Sequence, residues 1–175
     1  MHGKAPFMTI EPQESTPEST KHAQMELARC IRLQASTAKH ERRFRDALRL
    51  RVELDALLTS IDAPLAERCS NLNMMAFLGL QIGDYATAER AARSCVELYQ
   101  CVDEKKSESW ATYLSMLASV LAERGNFDEA VGFGESAFKQ FALNHSPNSE
   151  FLKYRSLALE RMRSKWLGYY IDRID

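Results

Sequence analysis

The residues of this chain whose types could do chemistry are four histidines, four cysteines and a run of arginines. His2, His22, His40 and His145 do not stand at ligand spacing from a cysteine or a carboxylate, so no metal centre is expected. Cys30, Cys69, Cys95 and Cys101 form no C-x-x-C pair. The first three fall among apolar helical positions, where a free thiol acts as a small hydrophobe. Unpaired thiols belong to a reducing compartment, and a cytoplasmic location is the expectation. Gly132 and Gly134 have no following Lys-Ser or Lys-Thr, so they make no phosphate loop. Serine-nucleophile signatures are absent. These residues predict no catalytic group and no cofactor, hence no enzyme.

Two basic segments remain. Lys39, Arg42, Arg43, Arg45, Arg49 and Arg51 form a run in which Arg42, Arg45 and Arg49 would share one face of a helix over 41–51. Phosphate binding there is a minor reading, because Glu41, Asp46 and Glu53 interleave with the cations. Near the C-terminus, Lys153, Arg155, Arg161, Arg163 and Lys165 stand beside Phe151, Tyr154, Trp166, Tyr169 and Tyr170. Leu152, Leu157, Leu159, Met162 and Leu167 predict a buried side for that helix. Aromatics left exposed at its end would mark a homo-oligomer contact or a partner site.

Composition narrows the classes. The chain has 175 residues, 45% of them hydrophobic and 27% charged, which suits one domain with a real core. A net charge of −1 selects neither nucleic acid nor an anionic membrane. Seven glycines and five prolines fall mostly outside the periodic segments, which favours an all-α fold. No apolar run approaches the roughly 20 residues that span a bilayer. The first residues carry no secretory signal pattern.

The elements that would position any site come from a recurring pattern. Gly83-Asp84-Tyr85 followed by Ala88 recurs as Gly125-Asn126-Phe127 followed by Ala130, with a fainter copy at Phe44 and Ala47. The period is about 42 residues. Each copy reads as a helix end, a tight turn and a second helix. The alanine permits close crossing of two antiparallel helices, and the aromatic three residues earlier is expected to wedge against the preceding helix. Helices are predicted over about 21–40, 41–59, 64–82, 85–100, 107–124, 126–141 and 148–170. Ser19 or Thr20 would cap the first, and 39–43 would turn without glycine. Ser107 or Ser109 would cap the fifth, after a polar loop over 102–107. Ser146 would cap the last, with Pro147 at its first position. Residues 1–20, with Pro6, Pro12 and Pro17 among Ser, Thr and Glu, read as a disordered tail before a helical domain over 21–175.

These paired motifs resemble tetratricopeptide repeats. Met75-Ala76 and Leu117-Ala118 match the family's large-small pair, the two glycine-aromatic turns match its elbow, and Ala88, Ala130 and Ala137 match its small positions. The long period is similar to the variety found in kinesin light chains, and 143–147 is similar to that variety's linker. Gly79 and Leu121 replace the family's first-helix tyrosine, and Ala92 and Gly134 its second-helix aromatic, departures that bear on how the helices cross. The resemblance covers about 24–142. It implies an α-α superhelix of about three helix-turn-helix repeats (24–60, 64–100 and 107–142) closed by a capping helix over 148–170.

The resemblance also implies a function. Tetratricopeptide repeats bind protein or peptide segments on the concave face of their first helices. By register that face would carry Arg29, Arg32, Lys39 and His40, then Ser70, Asn73, Phe77, Leu80 and Gln81, then Thr112, Ser115, Ser119 and Glu123. The expected role is a non-catalytic adaptor or chaperone-like module. The alternative is a regulatory or assembly domain acting through self-association or peptide sensing. The family's clamp for chaperone C-termini would fall on Arg32, Ser36, Met74, Thr112 and Met116, of which only Arg32 has the chemistry. A clamp of that type is not expected.

Overall fold

The computed structural model describes residues 17–101 and 107–171. Among them are seven helices and no strand: α1 (Pro17–His40), α2 (Phe44–Ser60), α3 (Leu65–Ile82), α4 (Tyr85–Gln100), α5 (Glu108–Glu123), α6 (Phe127–Asn144) and α7 (Glu150–Ile171). Each helix packs on the next, and α3 also packs on α5. The fold is all-α.

Turn chemistry sets where the helices end. Gly83 and Gly125 take left-handed φ values of 75° and 81°, which lets the helix close on its own last carbonyls. Asp84 N–H donates to Gly79 C=O at 2.9 Å, and Asn126 N–H to Leu121 C=O at 2.9 Å. The first pair makes the same closure without glycine. Arg42 adopts φ 60° and Arg43 N–H donates to Ala38 C=O at 2.8 Å. Asp62, φ 49°, performs the same turn between α2 and α3, with Ala63 N–H on Leu58 C=O at 2.9 Å. Asp84 then caps α4, its side chain accepting from Thr87 N–H at 3.1 Å, and Ser107 caps α5 through Trp110 N–H at 3.2 Å.

Two expectations about caps are corrected. Helix α1 starts at Pro17, so Ser19 and Thr20 lie in its first turn instead of before it. Helix α7 starts at Glu150, where Ser149, not Ser146, accepts from Leu152 N–H at 3.3 Å. Ser149 holds the required position three residues before that N–H; Ser146 and Pro147 stay in the connection. The tail over 1–16 and most of the predicted 102–107 loop lie outside the described residues.

Ala47, Ala88 and Ala130 are all fully buried at the three elbows. A Cβ placed on Gly79 would stand 2.9 Å from that of Ala88, so α3 and α4 approach backbone to backbone. At their other ends the thiols of Cys69 and Cys95 each point at the other's carbonyl, 3.8 and 3.3 Å away. Contact of 79 with 88 and of 69 with 95 makes the pair antiparallel. The wedge expected of the aromatics holds for two of them. Phe44 and Phe127 pack half-buried on the core, but Tyr85 is 39% exposed. Tyr85 instead lines an open concavity with Leu80, Ala122 and Tyr154.

One core cluster extends from Ala38 in α1 to Leu152 in α7, centred on α3 to α6. A smaller one holds Ala28, Ile31, Leu54, Leu58, Ile61 and Ala63 beneath the α2–α3 connection. Helix α7 is anchored by Leu152 and Leu159, both buried. The Arg155 guanidinium lies 4.7 Å from the ring centre of Phe141 and 5.0 Å from that of Phe151. Leu157 and Leu167, expected on the buried side, are exposed. Helix α7 packs on α6 alone among its neighbours in sequence, so its outer side meets no following helix among the described residues.

Candidate binding groove

The sequence-predicted residues fall into three groups. Leu80 and Gln81 at the end of α3, with Ser119 and Glu123 of α5, line one groove of about 500 Å³. Ser70 and Asn73 of α3, with Thr112 of α5, line a shallower depression of about 330 Å³ at the other end of the same two helices. The rest do not join either. Phe77 packs half-buried on the core. Ser115 is met by α7, accepting from Arg155 Nη1 at 3.1 Å. Arg32 is ion-paired with Glu67 across α1 and α3. Arg29 is exposed beside Glu26, and Lys39 is half-buried.

The larger groove has a wall that the register did not provide. Tyr154, Leu157, Ala158, Arg161, Met162 and Lys165 of α7 face Leu80, Tyr85 and Ala122 across it. Positions 154, 157 or 158, 161 or 162 and 165 repeat at helical spacing, so they form one stripe of α7. Tyr154 is 67% exposed and Leu157 52% exposed. An aromatic and a leucine held in water next to a concavity form a contact surface for another apolar group. The spacing of 154 to 165 carried this signal in the sequence. It was missed because Leu157 was expected on the buried side of the helix and only aromatics at the helix end were expected to mark a contact site.

The rim is polar and mixed in charge. Glu123 of α5 lies 3.5 Å from Lys165 Nζ of α7, and Arg161 and Gln81 are exposed nearby. The hydroxyl of Ser119 donates to Ser115 C=O at 2.9 Å, and that of Thr112 to Glu108 C=O at 3.0 Å. The groove offers shape, apolar contact and rim charge.

An ion-pair network ties α4 to α6. Arg93 donates to both carboxylate oxygens of Glu129 at 2.7 Å and to Glu89 at 2.8 Å. Arg124 also pairs with Glu89. The Arg93 hydrogen bonds hold the Glu89 and Glu129 carboxyls below the usual range and push Arg93 up. The basic run offers no continuous stripe. Arg42 and Arg43 lie in the turn before α2, Arg43 is bonded to Glu41 and Asp46, Arg49 lies 4.0 Å from Glu53, and Arg51 is buried.

Among the described residues, no helix is long and apolar enough to cross a membrane. No protein-family model matches the chain, and no curated protein matches it.

Proposed function

We propose that the chain is a non-catalytic protein-interaction module, an α-α superhelix of the tetratricopeptide type that holds a protein or peptide segment in the groove between α3, α5 and α7. The observation that carries this reading is the exposed Tyr154–Leu157 stripe facing Leu80 and Tyr85 across a concavity of about 500 Å³. Small apolar anchors inserted between helices are the usual currency of such recognition. Three further features favour the architecture. They are the left-handed elbows at Arg42, Gly83 and Gly125, the buried alanines after them, and the packing of α3 on α5.

The test is affinity capture with mass spectrometry, comparing wild type with Leu157→Asp/Arg161→Glu. Both side chains are exposed, so helicity should be unchanged while specific partners are lost. An unchanged partner set would discard the groove. The same stripe supports a second reading, self-association through α7. Sedimentation of wild type separates the two: a dimer that the double substitution dissolves would make a second copy the occupant.

A further inference from the structure

The outer side of α7 carries a pattern that is symmetric from end to end. Glu150, Tyr154, Leu157, Ala158, Arg161 and Lys165 fall within about 100° of arc on a helix of 3.6 residues per turn. That arc lies across the helix from Leu152 and Leu159, which are buried. Ala158 is half-buried and the rest of the stripe is exposed. The positions are spaced evenly about the midpoint between Leu157 and Ala158. Glu150 and Lys165 form the outermost pair, Tyr154 and Arg161 the next, and Leu157 and Ala158 the central one.

Each pair joins complementary chemistry. An identical helix laid antiparallel about a two-fold axis brings such positions face to face. Glu150 of one copy then meets Lys165 of the second at both ends. Tyr154 meets Arg161, an aromatic face beneath a guanidinium. Leu157 meets Ala158, where the small side chain lets the two axes approach. A parallel pairing would set each charge against its own like and is disfavoured. The shape agrees. Leu157 stands between the groove toward α5 and a second concavity of about 570 Å³ beside Phe138, Ala142 and Leu152. A ridge flanked by furrows can mesh with a helix surface of the same form. The end charges give up little: Glu150 lies 2.7 Å from Lys153 and Lys165 3.5 Å from Glu123, all four side chains exposed, and such pairs contribute weakly.

We propose that α7 is a homodimer contact. A second copy of this chain packs its own α7 antiparallel along Glu150 to Lys165, with the two-fold axis between Leu157 and Ala158, and covers the mouth of the groove. The inference rests on the interaction reading above and names its occupant.

The experiment is sedimentation of the full chain over a range of concentrations. The samples are wild type, Glu150→Lys, Lys165→Glu, an equimolar mixture of those two, and Leu157→Asp. Circular dichroism follows helicity, which should match wild type throughout. Wild type should show a monomer–dimer equilibrium. Glu150→Lys alone sets lysine against lysine at both ends, and Lys165→Glu sets glutamate against glutamate. Each should weaken the dimer about tenfold or more. Their mixture should recover it, because a mixed dimer has lysine against glutamate at both ends. Leu157→Asp should abolish it. If Glu150→Lys loses helix, Tyr154→Ala and Leu157→Asp carry the comparison, each expected to weaken the dimer at unchanged helicity. A wild type still monomeric at about 1 mM, a dimer indifferent to the charge variants, or a mixture no better than its components would overturn the proposal. A monomer that loses captured partners on Leu157→Asp/Arg161→Glu would also overturn it, giving the groove to a foreign segment and leaving the interaction reading intact.

Discussion

Gly79 and Ala88 touch across the α3–α4 elbow: a methyl built on the glycine would lie 2.9 Å from the Ala88 Cβ and 3.0 Å from the Ala88 nitrogen. The second of these neighbours is backbone, which cannot rotate aside. Gly79→Ala should therefore destabilise the protein by about 1–3 kcal/mol through overpacking. Gly132, also inside a helix, has open space around its Cβ position. Gly132→Ala should stabilise it by about 0.5–1 kcal/mol from helix propensity alone. Urea unfolding of the two variants measures the contrast; equal effects would mean the close approach is absent.

Acid should loosen the α4–α6 network. The Glu89 and Glu129 carboxyls are held below their usual range by Arg93. Their contribution is then complete above the ordinary glutamate pKa of about 4.3 and is lost as pH falls through the lower folded values. Melting midpoints taken from pH 7 downwards should drop in that window. Glu129→Gln should flatten the drop while leaving a lower midpoint at neutral pH.

The thiols should divide into two kinds. Cys30 and Cys101 are exposed, whereas Cys69 and Cys95 are buried face to face between α3 and α4. The facing Cys69 thiol and burial both push the Cys95 thiol up, which keeps it protonated and unreactive. A colorimetric thiol reagent should modify Cys30 and Cys101 in the native protein, and the other pair only when denaturant opens the fold. Mass spectrometry of the modified sites decides.

Neighbouring leucines on α7 should behave in opposite ways. Leu159 is buried and meets the Gly134 position of α6, whereas Leu157 is 52% exposed in the groove. Leu159→Ala should cost about 2–5 kcal/mol and loosen the whole helix. Leu157→Asp should leave the unfolding midpoint within about 0.5 kcal/mol of wild type, as surface changes do. Equal losses would mean that the stripe is part of the core.

The elbows were legible in the sequence because Gly83 and Gly125 announce a left-handed residue, and Ala88 and Ala130 announce a close crossing. The first elbow was legible only as a break, since Arg42 takes φ 60° with no residue type to advertise it. Tyr85 was misplaced because whether its ring meets the preceding helix depends on a distance between helices, not on spacing along one. The α7 wall escaped for a related reason. Tyr154 and Leu157 look like core residues by type, and only the missing neighbour shows that they face water. Arg51 was counted as a surface cation because nothing in its immediate sequence reveals that α1 and α3 close over it.

Helix α7 both shields the core through Leu152 and Leu159 and supplies one side of the cleft. The two duties share a single rigid rod, tethered to α6 by only five residues, 145–149. Whatever settles against Tyr154 and Leu157 must press that rod down as well. Occupancy would thus be felt as slower amide exchange and slower protease nicking along the final helix, far beyond the atoms touched.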